Sequence, residues 1–248
     1  LRSKPAIKNL NKMKVEIWSD VVCPFCYIGK RHFEAALAQF PDSKNIEISW
    51  KSFQLDPSVT AQEAGQTHMD YLAKKRGWSI EQTREALGSV TNMAAASGLD
   101  YKLEHTKVVN TFNAHRLLQF ASAKGLGDQA EELFFKAYFT EEKDIADEAV
   151  QLAIFEQLGL TAADRETALQ EEQYAKEVHA DIAEARQIGV NGVPFFVFDR
   201  KYAISGAQPV EAFLQTLTQS HTEWREKNPE IKLDIQSGPS CDINGNCD

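Results

Sequence analysis

The sequence predicts an α/β protein, with a small sheet core interrupted by a large all-helical insertion after the second strand. Three observations predict it. Residues 13–55 read strand–helix–strand, residues 66–189 are almost wholly helical in pattern, and strand signals return only at 195–205. A chain of 248 residues accommodates one large domain or a domain carrying such an insertion.

The elements follow in order. Met13–Ser19 alternates Val15 and Ile17 with Lys14 and Glu16, the period-2 pattern of a strand. Ile28, Phe33, Leu37 and Phe40 then recur at helical spacing until Pro41-Asp42 stops the helix. Ile46–Leu55 is the second strand, with Ile46, Ile48, Trp50 and Phe53 as its inward candidates, ended by Asp56-Pro57. Helices are expected over Thr67–Arg76, Ser79–Ser97, Lys107–Ala123, Asp128–Thr140 and Asp147–Leu158, with Ser79 and Gln82 in capping-box spacing. Thr161–Gln187 reads as one or two further helices. Phe195–Phe198 and Tyr202–Ser205, joined by Asp199-Arg200-Lys201, form a hairpin, and a last helix spans about Val210–Ser220. No fixed-period repeat is present, so a solenoid is not expected.

With the middle removed, the order strand–helix–strand, helix, hairpin, helix is that of the thioredoxin fold. The expected organisation is a discontinuous sheet domain at 13–56 and 188–222, a helical insertion at 57–187, and a polar tail at 223–248 with its own cysteine pair.

Composition narrows the function. Hydrophobic residues make up 43% and charged residues 25%, the balance of a globular protein with an ordinary core. A net charge of −9 argues against nucleic-acid binding and against an anionic membrane surface. The longest apolar runs, such as Val193–Phe198, are too short to span a bilayer. The first residues lack the apolar core of a signal peptide, and Met13 is a plausible natural start, so a cytoplasmic protein is expected, with a leader removed beforehand as the alternative. Nothing in the chain specifies an oligomeric state.

The chemistry is carried by Cys23-Pro24-Phe25-Cys26, placed directly behind a strand and directly before a helix. A thiol in the first helical turn faces unpaired backbone N–H groups and the positive end of the helix dipole. Both favour the thiolate, which is the attacking species in disulfide exchange. Pro24 suits the first turn, Phe25 would lie beside an entering substrate, Cys23 would attack and Cys26 would resolve. A zinc site needs a second such pair or spaced histidines, and the remaining cysteines, Cys241 and Cys247, are six positions apart in the tail, so no metal is expected. The Pro-Phe dipeptide supplies no positive charge to depress the Cys23 thiol further.

Gly192-Val193-Pro194-Phe195 opens the hairpin. A proline there serves either as an edge device or as a cis-proline facing the cysteines. Coupling to a strand–CxxC–helix favours the second, with Val193 and Pro194 shaping the substrate groove.

Three segments together resemble the DsbA-family oxidoreductases of the FrnE type. They are Trp18-Ser19-Asp20-Val21-Val22-Cys23-Pro24-Phe25-Cys26-Tyr27-Ile28-Gly29, Asn110-Thr111-Phe112-Asn113-Ala114-His115-Arg116, and Gly189-Val190-Asn191-Gly192-Val193-Pro194-Phe195-Phe196. The resemblance spans about 13–220 and implies a cofactor-free disulfide oxidoreductase or isomerase acting on protein thiols and disulfides. Glutathione or another thiol would be its redox partner. It also implies that Val193 offers its backbone to an extended substrate segment, as in strand addition. Asn110 and His115 would support the site from the insertion; by themselves, His115 and Arg116 read as ordinary surface or interhelix residues. Asp20 caps the helix or orients the loop before Cys23, and His32 lies too far round its helix to take part.

Some FrnE-type relatives carry a second cysteine pair near the C-terminus, which Cys241 and Cys247 resemble in position. Either the tail exchanges electrons with Cys23 and Cys26, or it holds an inert disulfide or two free thiols. The rival function is a glutathione-dependent isomerase or kappa-class glutathione transferase, which share this fold but carry serine at the position of Cys23. A non-catalytic binding module is a further alternative, requiring full activity without Cys23.

Overall fold

Alternating apolar residues at one sheet position explain how the core is built. The computed structural model describes residues 12–229. β1 (Met13–Ser19) is followed by α1 (Pro24–Gln39) and β2 (Ile46–Ser52), which pairs parallel to β1 with Met13 opposite Ile46 and Ser19 opposite Ser52. The intervening helices are α2 (His68–Arg76), α3 (Ile80–Ala96), α4 (Phe112–Ala123), α5 (Gly127–Phe135), α6 (Glu148–Gln157), α7 (Ala162–Gln170) and α8 (Glu172–Gln187). The hairpin β3 (Phe195–Phe198) and β4 (Tyr202–Ser205) then closes the sheet, and α9 (Val210–Lys227) completes the fold. Among the described residues the sheet order is β2-β1-β3-β4, with β3 antiparallel to both β1 and β4.

The register sets Val15 opposite Phe198 and Ile17 opposite Phe196, so all four share a face. That face is covered by Phe33 of α1 and by Phe213 and Leu217 of α9, every one of them buried. Burying a side chain of this size stabilises by roughly 1.5–3 kcal/mol, which makes the Phe33–Phe196–Phe213 group the anchor of the sheet. The opposite face is also covered, by α8 and the turn that follows it: Trp18 and Val197 pack on Ala185 of the helix and on Val190 just beyond it. Glu16, which alternation alone would expose, is therefore buried, and it pairs with Arg200.

Asp181 of α8 holds this second face. Its Oδ1 accepts from Lys51 Nζ at 2.8 Å, and its Oδ2 accepts from Ser52 N at 2.9 Å and Gln119 Nε2 at 2.6 Å. Its carbonyl accepts from Trp18 Nε1 at 3.0 Å. One carboxylate thus ties α8 and α4 to the edge of the sheet.

Several boundaries differ from the sequence reading. The second strand stops at Ser52 rather than Leu55, because its partner β1 ends at Ser19. The expected helix from Lys107 begins at Phe112, since Lys107 bridges to Thr67 and Val108 exchanges backbone bonds with Gly65 and Gln66. The helix expected over Asp128–Thr140 is α5 plus a π-helical turn at Lys136–Thr140. Thr161–Gln187 is two helices, broken at Glu171. The last helix runs through Ser220 to Lys227, past the expected start of the tail at 223, because Trp224 and His221 pack beside Phe40 at the far end of α1. Cys241 and Cys247 lie outside the described residues.

Candidate active site

β1 delivers the chain into a tight turn in which Cys23 N donates to Asp20 O at 2.9 Å. Cys23 is the N-cap of α1, with extended backbone (φ −88°, ψ 112°) and no side-chain cap on the first-turn amides. Pro24 opens the helix, where its missing N–H costs nothing. One turn on, Cys26 N donates to Cys23 O at 3.0 Å. The local sequence thus sets a sulfur at the positive end of a helix of 16 residues.

The Val193–Pro194 peptide bond is cis, and the Val193 carbonyl accepts from Cys23 Sγ at 3.4 Å. Gly206 N donates to Pro194 O at 2.8 Å, so the hairpin itself closes around the proline. Residues about 170 positions apart are thereby in contact.

Cys23 is 3% exposed and Cys26 1%, so both sulfurs are recessed rather than open. Phe25, at 38%, is the exposed member of the motif. Burial pushes the Cys26 thiol well above its ordinary value, and the hydrogen bond and charge of Cys23 push it the same way. Ser19 and the Asp20 backbone act in the opposite sense.

Asp20 and His115 come together, both buried, with His115 Nε2 3.3 Å from Asp20 Oδ1. The other Asp20 oxygen accepts from Leu55 N at 2.8 Å. Asp20 therefore ties the loop before Cys23 to the end of β2 and to α4, rather than capping α1. Asn110 does not join them. It is exposed, accepting from Phe112 N at 3.0 Å and from Gln54 Nε2 at 3.2 Å, and so organises the start of α4. Arg116 is directed to Glu171 O at 3.3 Å. His32 bridges Gln208 O at 2.8 Å and Ser97 Oγ at 3.0 Å, away from the sulfurs in sequence and in contacts.

Two residues of the site escaped the sequence reading. Tyr101, in the loop after α3, donates its hydroxyl to Pro24 O at 2.7 Å. Its ring stacks at 4.7 Å on Phe139, and Tyr27 stacks at 4.9 Å on Phe135. Burial, then the charges of Cys23 and Cys26, push its phenol up, so it remains a donor through neutral pH. Gly29 lies where α1 crosses the cis-proline: a Cβ there would meet Pro194 Cγ at 3.0 Å. The glycine was visible in the sequence, but the close approach requiring it was not.

A dithiol at a helix N-terminus, against a cis-proline and over this sheet order, defines a thioredoxin-fold redox protein. The most informative solved relative is a probable DsbA oxidoreductase from Streptomyces coelicolor, 37% identical, covering 95% of this chain and 98% of that one, with a TM-score of 0.79. The uncharacterized protein YwbO of Bacillus subtilis (strain 168) is 27% identical over 207 residues, 82% of this chain and 95% of its own length. The cytosolic disulfide reductase DsbM from Pseudomonas aeruginosa shares the fold, at 16% identity and a TM-score of 0.59, covering 83% of this chain and 98% of its own. The chain belongs to the DSBA-like thioredoxin domain family, whose model matches residues 14–218, and it is a disulfide oxidoreductase of the DsbA type. Among the described residues no group of three or more His, Cys, Asp or Glu side chains is placed to hold a metal ion.

Proposed function

We propose that the chain exchanges disulfides with protein substrates through Cys23 and Cys26, with Val193 and Pro194 forming the wall against which an extended substrate segment lies. The observation that carries this reading is the 3.4 Å contact between Cys23 Sγ and the carbonyl preceding the cis-proline. A substrate sulfur bonded to Cys23 would emerge beside that backbone, where strand-like pairing orients it. Pro24 and Phe25 form the adjoining lip.

In the reductive direction, the Cys23 thiolate attacks a substrate disulfide, forming a mixed disulfide and releasing one substrate thiolate. Cys26 then loses its proton and attacks Cys23 Sγ. The second substrate sulfur leaves and takes up a proton, and the Cys23–Cys26 disulfide remains. The oxidative direction is the reverse. Two of the influences holding the Cys26 proton, the hydrogen bond and the charge of Cys23, vanish when Cys23 enters the mixed disulfide. The resolving thiol thus becomes easier to ionise at the step that uses it. Asp20 and His115 keep the loop before Cys23 in place.

Isomerase activity, resetting by glutathione or another thiol, and a cytoplasmic setting in which thiols are kept reduced belong to the same reading. So does a role for Cys241 and Cys247 as a second redox pair, which unchanged turnover after replacing both with serine would remove. The decisive test is trapping. Cys26→Ser should accumulate a mixed disulfide with protein substrates, and Cys23→Ser should accumulate none. Glutathione conjugation that is saturable and survives Cys26→Ser would instead favour a glutathione-dependent transferase or isomerase.

A further inference from the structure

Ser19, the last residue of β1, is fully buried, and its Oγ has no hydrogen-bond partner among the described residues. An unmatched buried hydroxyl destabilises a fold, so its retention calls for a cause. Strand alternation gives its direction. Val15 and Ile17 face α1 and cluster with Phe33, whereas Trp18 faces the other way and packs with Ala185. Ser19 continues the Val15–Ile17 row towards the start of α1. On that helix Cys26 precedes Phe33 by about two turns and shares its face. The Ser19 hydroxyl thus faces the Cys26 sulfur, close enough to favour its thiolate, yet completes no hydrogen bond while Cys26 is a thiol.

Other polar groups around Cys26 are already engaged. Tyr101 Oη donates to Pro24 O at 2.7 Å, and Cys23 Sγ donates to Val193 O at 3.4 Å. The Asp20 carboxylate is held by Leu55 N and His115. Burial, then Cys23, raise the Cys26 pKa; the Ser19 hydroxyl comes first among the groups that lower it, ahead of the Asp20 backbone. A neutral thiol is a weak acceptor, whereas a bond to an ionised acceptor is roughly twice as strong as one between neutral groups. The partner this hydroxyl lacks therefore comes into being when Cys26 ionises.

We infer that Ser19 Oγ is the hydrogen-bond donor that receives the Cys26 thiolate during disulfide exchange. The inference rests on the reading of Cys26 as the resolving thiol. In the reductive direction Cys26 gives its proton to solvent, and its thiolate accepts from Ser19 and attacks Cys23 Sγ. The bond from Cys23 to the substrate breaks, the Cys23–Cys26 bond forms, and the substrate sulfur leaves with the electron pair and takes up a proton. In the oxidative direction a substrate thiolate attacks Cys23 Sγ, and Cys26 leaves with the electron pair onto the same donor before regaining a proton. Ser19 keeps its own proton throughout. Because the donor is already in place, nothing has to reorganise as charge develops on the buried sulfur.

The test mixes the reduced protein with one equivalent of the symmetrical disulfide of thionitrobenzoate. Cys23 attacks first, forming a mixed disulfide and releasing one coloured thiolate; Cys26 then attacks Cys23 Sγ and releases the second. The two phases therefore read the two cysteines separately. Ser19→Ala should leave the first phase unchanged and slow the second about threefold, the net of a roughly tenfold smaller thiolate fraction and a partly compensating gain in nucleophilicity. Ser19→Thr, which returns the hydroxyl, should restore the second phase. The denaturant midpoint of reduced Ser19→Ala should equal or exceed that of wild type, since the unmatched hydroxyl is gone. An unchanged second phase in Ser19→Ala, a Ser19→Thr variant as slow as Ser19→Ala, or equal slowing of both phases with a fallen midpoint would overturn the donor role while leaving the exchange reading intact. Release of the first thiolate alone by wild type would overturn the resolving role of Cys26 as well.

Discussion

Gly29 and Pro194 touch across the active site: a Cβ on the glycine would lie 3.0 Å from Pro194 Cγ and 3.4 Å from Phe196 Cζ. The absence of one methyl group lets α1 approach the cis-proline loop closely enough for Cys23 to reach the Val193 carbonyl. Gly29→Ala should push the two elements apart. Overpacking costs about 1–3 kcal/mol, and the better helix propensity of alanine returns about 1 kcal/mol. A net loss of about 1 kcal/mol in urea unfolding is expected, together with slower trapping of substrate by Cys23. Unaltered trapping would mean that the contact does not position the sulfur.

Tyr101→Phe removes the hydroxyl that bonds Pro24 O and leaves the aromatic stack in place. The expected loss is about 1 kcal/mol of stability. Tyr101→Ala also empties the stack and should cost about 3–5 kcal/mol. Denaturant midpoints for the pair of variants separate the bond from the packing; similar losses would show that the ring stack contributes nothing beyond the hydroxyl bond.

Asp181→Ala should be among the most damaging substitutions outside the motif. It strands Lys51 Nζ, Ser52 N and Gln119 Nε2 at once. Removing one partner of a buried ion pair costs about 3–5 kcal/mol. Thermal unfolding would show this as a large drop in Tm, and a change of a degree or two would contradict the role given to this carboxylate.

Glu131 on α5 is 2% exposed, and its Oε2 has no hydrogen-bond partner. Burial raises its pKa from 4.5 to about 8, against the opposing charge of Lys30. The unfolded chain releases this proton near pH 4.5 and the folded chain only near 8. The stability the group contributes is therefore complete below pH 4.5 and declines as pH rises towards 8. Glu131→Gln should be close to wild type at pH 4.5 and more stable than wild type at pH 8.5, by at least about 1 kcal/mol. Parallel stability–pH curves for the two proteins would count against it.

The buried Cys26 thiol gives a second pH dependence in the reduced protein. Its pKa is raised above the ordinary 9.0, so ionisation favours the unfolded chain above that pH. Reduced wild type should lose stability between pH 8.5 and 10 faster than Cys26→Ala, a comparison readable from denaturant midpoints. Alkylation at pH 7 should likewise label Cys23 before Cys26, detectable by mass spectrometry.

The legible parts were those governed by local rules. Strand alternation in Met13–Ser19, helical spacing after Cys26 and the two aromatic strands at 195–205 are statements about neighbours in the chain, and each element formed where its pattern stood. Cysteines at a helix start and a proline at a strand start are likewise local, which is why Cys23, Cys26 and Pro194 were readable together. Glu16 shows where the rule stops. Its position reads as solvent-facing, but α8 folds over that face from some 160 residues away.

By itself, the sequence determined the order of elements, the position of the two thiols at a helix N-terminus, and the proline expected to face them. Tertiary structure alone decided that Tyr101 grips the first turn of α1, that Gly29 admits Pro194, that Asp20 meets His115, and that Asn110 stays outside. Those contacts join segments separated by 77, 165, 95 and 56 positions, the last being the Gln54–Asn110 bond at the exposed start of α4. Periodicity reports which face of an element is apolar; it carries no information about which distant element will cover that face. The chemistry therefore lies in the local pattern, and its positioning lies in the packing of the insertion against the sheet.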